Sequence, residues 1–434
     1  MTKEFLLLIR LFSVSARGVP VDSGLLSEFM TTDGKLDSQT VGRVMALAIS
    51  QKCFEMADIA LQDIFVKSGL ADEARKSLKR VKLQIMSSAA VTQGIYELTR
   101  ALEEKGIEAK LLKGMSLSHL YAVPECRTSC DTDILIPKKK EKEAYGVFEK
   151  LGYAVTPRTK YSHHATCTHP NVGTVELHTD LFFERINDVI FDNSDYDDEI
   201  ASSVSEFEIN AVCFKTLGIT ENLIYVMFHM IQHFIRSGTS IRQLYDILIY
   251  CKSYKNEIDH KQFAQYLDRF SYRGIYNTVM SCGVEYFGFN DSELLPFENV
   301  GKDITEGFLT DIEKGGWIGK SRDDGQAVFR VYGSLKTKGE KENKEYKKNL
   351  KKYQRKRMLE AIFPKKERLI SKFPFAKNPL LRIPAWFAWL VYGVSLLKEG
   401  ELSSQVKAES ELTAEEKERI ELFGKLGIVD TEEV

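Results

Sequence analysis

No two of the seven cysteines are spaced as a CxxC pair, and they are scattered from Cys53 to Cys282. A disulfide-stapled scaffold therefore does not organise this chain, and reduced thiols in a cytoplasm are the expectation. Charge of one sign is equally scarce: 60 Lys and Arg against 62 Asp and Glu leave a formal net charge of -2. Such a balance gives no global attraction to nucleic acid or to an anionic membrane, so any polyanion contact must come from a local patch. Long apolar runs are missing too. The longest, IPAWFAWLVYGVSLL over 383–397, falls short of the ~20 residues that span a bilayer. The opening MTKEFLLLIRLFSVSARG is interrupted at Arg10 and shows no convincing cleavage site, so it reads as an amphipathic helix rather than a signal peptide. There is no internal repeat, no Walker P-loop, no GxGxxG after a strand and no HExxH.

What remains is ordinary globular material: 434 residues, 43% hydrophobic and 28% charged, enough for several packed units. Residues 1–95 read as helices, with apolar positions at helical spacing in 41–65 and again in 76–106, where Gly106 is the stop signal. Over 96–215 the period changes. IEAKLLKG, DTDILIP and VGTVELHTDLFF are strand-like, with helices MSLSHLYA and KEKEAYGVFEKLGY between them, so an α/β core is expected there. Helical spacing returns in a domain over 216–330. A basic and then apolar helical region follows over 331–400, and an acidic helical tail over 401–434.

The chemistry concentrates in two segments. Asp131 and Asp133 lie two apart on an expected strand, so both carboxylates project from one face. Side by side they repel unless a cation sits between them, and an oxygen-only pair suits a hard ion such as Mg²⁺. Upstream, Gly114 falls at a strand-to-helix junction, flanked by Lys113 and Ser116. A residue without a side chain there lets phosphate oxygens approach backbone N–H groups. Downstream, Thr174, Glu176 and His178 share a strand face while Val175 and Leu177 point into the core, which makes Glu176 the natural third carboxylate.

A glycine turn, a short helix, an Asp-x-Asp strand and a later strand with one more acid resemble the nucleotidyltransferase pattern of the DNA polymerase β superfamily. More closely, LLKGMSLSHLYAVPECRTSCDTDILI, VELH, ENLIYVMFHMIQHF and IRQLYDI resemble the uncharacterised bacterial nucleotidyltransferase family. The resemblance implies an α+β fold, a polymerase β-like core of small mixed sheet and helices embedded between helical domains. It implies Asp131, Asp133 and Glu176 as catalytic metal ligands, two Mg²⁺ ions with Mn²⁺ as the alternative, and a nucleoside triphosphate as substrate, ATP by default. Lys113, Gly114, Ser116, Arg127 and Arg242 would serve the nucleotide. Met115 after Gly114 departs from the common Gly-Ser form. The acceptor is left open among sugar, small molecule, peptide, RNA and protein.

Other features carry two readings. Arg127 is either a phosphate-binding cation or a partner neutralising the two aspartates. His229 and His233, four apart, read as polar residues lining a domain interface, with a metal pair as the alternative. Arg242 and Asp246 have the spacing of an intrahelical ion pair. The stretch Lys336–Arg357 is interspersed with acids and reads as a solvated helix face; RNA or lipid-headgroup binding there, and peripheral membrane contact through 383–397, are the alternatives. A non-catalytic nucleotide-binding scaffold and a toxin acting on tRNA or protein are the competing functions.

Overall fold

The computed structural model describes residues 1–158, 164–186, 189–192, 197–236, 238–315, 369, 373–389 and 414–428. The chain divides into two compact units, Met1–Ser321 with Lys425–Ile428, and Arg322–Gly424 with Val429–Val434.

The first unit opens with helices α1 (Lys3–Arg17), α2 (Ser23–Ser27), α3 (Ser38–Ser50), α4 (Phe54–Lys67) and α5 (Ala71–Glu103). Three of them start on side-chain caps. Thr2 Oγ1 accepts from Phe5 N–H, Asp22 from Leu25 N–H, and Asp37 from Gln39 and Thr40 N–H, pairing donors that helix N-termini leave open. The helical spacing across 41–65 resolves into two helices because Lys52 adopts φ 53° between them.

The sheet follows: β1 (Lys110–Leu112), α6 (Met115–Ser118), β2 (Asp131–Leu135), α7 (Glu141–Lys150), β3 (Ala154–Thr156), β4 (His164–His169) and β5 (Gly173–His178). Its order is β1-β2-β5-β4-β3. Strands β2 and β5 are parallel and the other neighbours antiparallel. The register sets Asp133 beside Glu176, Glu176 beside Thr166, and His178 beside His164. Side chains alternate across a sheet, so Asp131, Asp133, Glu176, His178 and His164 share one face. The opposite face carries Ile134, Val175, Leu177, Ala165 and Cys167, which pack with Ile95, Leu98 and Leu102 of α5 and Phe148 of α7. Burying each large apolar side chain stabilises by about 1.5–3 kcal/mol. The sheet is thus held from its apolar face, and its polar face is left to chemistry.

Two hairpins come next, β6 (Phe183–Ile186) with β7 (Val189–Asp192), then, after α8 (Asp197–Ser202), β8 (Ser205–Ile209) with β9 (Val212–Thr216). Thr216 Oγ1 donates to Leu111 O at 2.7 Å and ties the second hairpin to β1. Helices α9 (Ile219–Arg236), α10 (Ile241–Ser253), α11 (His260–Arg269), α12 (Arg273–Glu285) and α13 (Lys302–Gly315) complete the described elements of this unit before residue 316. At the start of α10, Ser240 N–H and the Thr239 hydroxyl both donate to Gln243 Oε1. Residues Ile241 to Cys251 of that helix are buried, so the two charged residues within this run, Arg242 and Asp246, need partners indoors. The α+β class expected from the sequence, a small mixed sheet with helices, is what the structure shows.

In the second unit Leu369, Ala376 and Ala385 are buried, with Phe373 and Trp389 packed against them. Of the apolar stretch 383–397, only 383–389 is described, and it is helical. The stretch Lys336–Arg357 lies outside the described residues. No helix among the described residues is long and apolar enough to cross a membrane.

Candidate active site

Asp133 sits at the centre of the polar sheet face and is 1% exposed. Its Oδ1 lies 3.0 Å from Lys113 Nζ and 2.8 Å from His178 Nε2. Burial alone would push this carboxyl up, but the Lys113 ammonium and the His178 hydrogen bond outweigh it and hold it below the usual carboxylate range. His178 moves the other way: burial opposes its protonation, and the bonds to Asp133 and Glu176 raise it above an ordinary histidine. Lys113 is likewise buried, yet Asp133, Asp131 and Glu176 keep its ammonium charged. At Asp131 the Lys113 and Arg242 charges pull the carboxyl down but are outweighed. Burial and the neighbouring Asp133 charge push its carboxyl above the usual range. Beside them Glu176 Oε2 is 3.4 Å from His164 Nδ1 and 3.7 Å from His178 Nε2.

The glycine turn is tight. Lys113 has φ 37°, Gly114 has φ 39° and ψ -103°, and a Cβ at Gly114 would lie 3.2 Å from Ser129 Oγ. Ser116, expected beside the phosphates, donates its hydroxyl to Lys113 O at 2.9 Å. A short polar side chain at a helix start readily bonds local backbone in this way, and here it closes the turn.

Arg127 meets neither aspartate of the pair. Its Nε donates to Asp246 Oδ1 at 3.0 Å and its Nη2 to Asp246 Oδ2 at 2.5 Å, while Tyr121 Oη donates to the same carboxylate at 2.7 Å. Of the two readings of Arg127, that of a partner neutralising the Asp131–Asp133 pair is corrected accordingly. Arg242, four residues before Asp246 on the same helix, feels the Asp246 charge, and its Nη1 donates to the carbonyls of Thr128 and Lys52. Arg127 Nη1 is buried and has no hydrogen-bond acceptor.

Two cavities flank Asp131. The smaller, about 60 Å³, is lined by Lys113, Gly114, Arg127, His229, His233 and Arg242 together with Ser129 and Asp131. Lys113 Nζ donates to His229 Nε2 at 2.7 Å, and His233 Nε2 lies 3.0 Å from the same nitrogen. Burial, reinforced by the Lys113 charge, lowers His233 to about 4. These histidines therefore line a cationic pocket at the junction of α9 with the sheet. The larger cavity, about 350 Å³, lies between α5 and the loop before β2, and Ser87, Ser88, Thr92, Thr128 and Thr174 line it. Arg127, Ser129 and Asp131 border both cavities.

Sequence reasoning passed over Ser129 and His164. The HATCTH segment carries the alternation that would have placed His164 on the acid face, with Ala165 and Cys167 opposite. Ser129 has no such signal, since a loop residue shows no period.

Residues 37–288, more than half of the chain, match the family described as uncharacterised nucleotidyltransferase. No curated protein matches. Among solved structures, the chain is similar to the solution structure of the antibiotic-resistance factor ANT(2'')-Ia, with a TM-score of 0.31 and 13% identity over 42% of this chain and 94% of that one. It is also similar to the crystal structure of an antigenic nucleotidyltransferase-like protein from Paracoccidioides brasiliensis, with a TM-score of 0.28 and 14% identity over 42% of this chain and 87% of that one. The family match, spanning the acid face, the glycine turn and the buried helix that carries Arg242 and Asp246, makes this chain a member of the uncharacterised nucleotidyltransferase family.

Proposed function

We propose that the protein moves a nucleoside monophosphate from a nucleoside triphosphate, ATP by default, to an acceptor hydroxyl with release of pyrophosphate, and that it needs divalent metal to do so. The observation that carries this reading is the shared border of the two cavities. Asp131, Ser129 and Arg127 stand between a small pocket ringed by cations and a larger one lined by hydroxyls. A transfer between triphosphate and acceptor needs that division, with the reacting phosphorus at the boundary.

The carboxylates fit a hard cation. Asp131 carries a charge that burial and Asp133 make unfavourable, and a cation relieves it. Bound Mg²⁺ or Mn²⁺ supplies charge compensation for the triphosphate and for the attacking hydroxyl. Asp131 and Asp133 hold it, with Glu176 as the third acid on the neighbouring strand. Lys113 and Arg242 bring positive charge to the triphosphate. Arg127 offers its unpaired Nη1, and the absent side chain at Gly114 leaves room for phosphate oxygens. Glu176 takes the proton of the acceptor hydroxyl.

The size of the larger cavity, about 350 Å³, suits a small molecule or a single side chain. Docking of RNA would fall to Lys336–Arg357, outside the described residues. The test is to incubate the protein with labelled nucleoside triphosphates, Mg²⁺ or Mn²⁺ and cell extract, and to identify the labelled product. Labelling that depends on Asp131 supports the reading. No transfer from any of the triphosphates, or equal transfer by Asp131→Asn, overturns it.

A further inference from the structure

We infer that the polar sheet face holds a second, nitrogen-containing cation site, built by His164, Glu176 and His178, which takes a borderline divalent ion such as Zn²⁺ in the absence of nucleotide. Strand register builds it. His164 on β4 pairs with His178 on β5, and Glu176 is two residues earlier on the same face. The three donors therefore come from adjacent positions of two hydrogen-bonded strands.

Their spacing suits one ion. Glu176 Oε2 is 3.4 Å from His164 Nδ1 and 3.7 Å from His178 Nε2. Ligand atoms of His164, Glu176 and His178 all lie within 4.8 Å of one another. A tetrahedral ion with bonds of about 2.0–2.1 Å separates its ligands by roughly 3.3 Å, so small side-chain adjustments close the set. The donor chemistry then selects the ion. Two imidazoles and one carboxylate, with water as the fourth ligand, favour Zn²⁺ and its neighbours, whereas Mg²⁺ prefers oxygen and retains water.

This site goes beyond the proposed transfer, because an ion bound there is present in the resting protein, before nucleotide arrives. It would fix Glu176 against the two histidines and leave Asp131 and Asp133 to the ion that comes with the triphosphate.

The experiment loads the full-length protein with Zn²⁺ or Co²⁺, removes free ion by gel filtration in excess Mg²⁺ without nucleotide, and measures metal content and the visible Co²⁺ spectrum. The expected result is a single retained ion per chain with the absorption of a four-coordinate site. His164→Ala, at a half-buried strand position, should keep the fold by circular dichroism and weaken binding by at least ~100-fold, beyond the 10–100-fold typical of losing an outer partner. Asp131→Asn should retain the ion. No ion retained by the wild-type protein overturns the inference, as does retention that His164→Ala and Glu176→Gln leave unchanged. Either outcome is read without any transfer assay, so it stands apart from success or failure of the transfer reading.

Discussion

Arg127 and Asp246 form a two-pronged ion pair in the interior, Nε to Oδ1 at 3.0 Å and Nη2 to Oδ2 at 2.5 Å. They are 7% and 2% exposed, and the pair joins the loop before β2 to the middle of α10. Orientation of the cationic pocket follows from this contact, since the same guanidinium borders both cavities.

Breaking that pair from one side should be costly. Asp246→Ala leaves a buried guanidinium without its counter-charge and should lower stability by about 3–5 kcal/mol. The double change Arg127→Met with Asp246→Leu should lose much less, because neither charge is stranded. Urea denaturation of the single and double variants decides. A loss below about 1 kcal/mol for the single change contradicts the assignment.

Asp131→Asn and Asp133→Asn should both reduce nucleotidyl transfer below about a tenth of wild type, since metal compensation is worth several kcal/mol. Their stabilities should diverge. Asp131 is destabilised by burial and by Asp133, so its amide should be neutral or slightly stabilising. Asp133 holds Lys113 and His178, and its amide should cost about 3 kcal/mol. Equal unfolding midpoints for the two variants would show that the carboxylates share one environment.

Gly114→Ala places a Cβ 3.2 Å from Ser129 Oγ at a φ of 39°, strained for any other residue. Stability should fall by about 1–2 kcal/mol, and nucleotide affinity should fall as well because the methyl group occupies the approach to the turn. Ser129→Ala should relieve the contact but not the φ penalty, recovering only part of the loss in calorimetric titration.

Acid should weaken the fold through His119. Its ring stacks on Phe207 at 5.2 Å and pairs with Tyr254 Oη at 2.9 Å, and burial lowers it from 6.5 to about 4. Between those values the unfolded chain binds the proton and the folded chain does not. The stabilisation is therefore complete above pH 6.5 and is lost as pH falls towards 4, by at most about 3 kcal/mol and less for the exposed part of the ring. His119→Gln should flatten the stability profile between pH 7 and 5. An unchanged slope would remove His119 as the cause.

The acid triad was legible because strand alternation and a glycine turn leave marks in the sequence: Asp131 and Asp133 two apart, Glu176 between two apolar neighbours. The β8–β9 hairpin was not. Its turn residues Asn210 and Ala211 both take positive φ, a conformation usually signalled by Asn-Gly, and Ala in the second place hides it. Arg127 and Asp246 are 119 residues apart, and no local pattern links them. The bond from the Ser116 hydroxyl to the Lys113 carbonyl closes a turn that the glycine signals only in part.

Parallel pairing of β2 with β5 has a consequence for synthesis. A parallel neighbour needs a long crossover, and here α7, β3 and β4 all intervene. His178 follows Asp133 by 45 residues, a few seconds of elongation at roughly 5–20 residues per second. During that interval the emerging chain carries both aspartates without Glu176, His178 or the α9 wall. The glycine turn is made early, and the acid face is complete only once β5 has paired with β2.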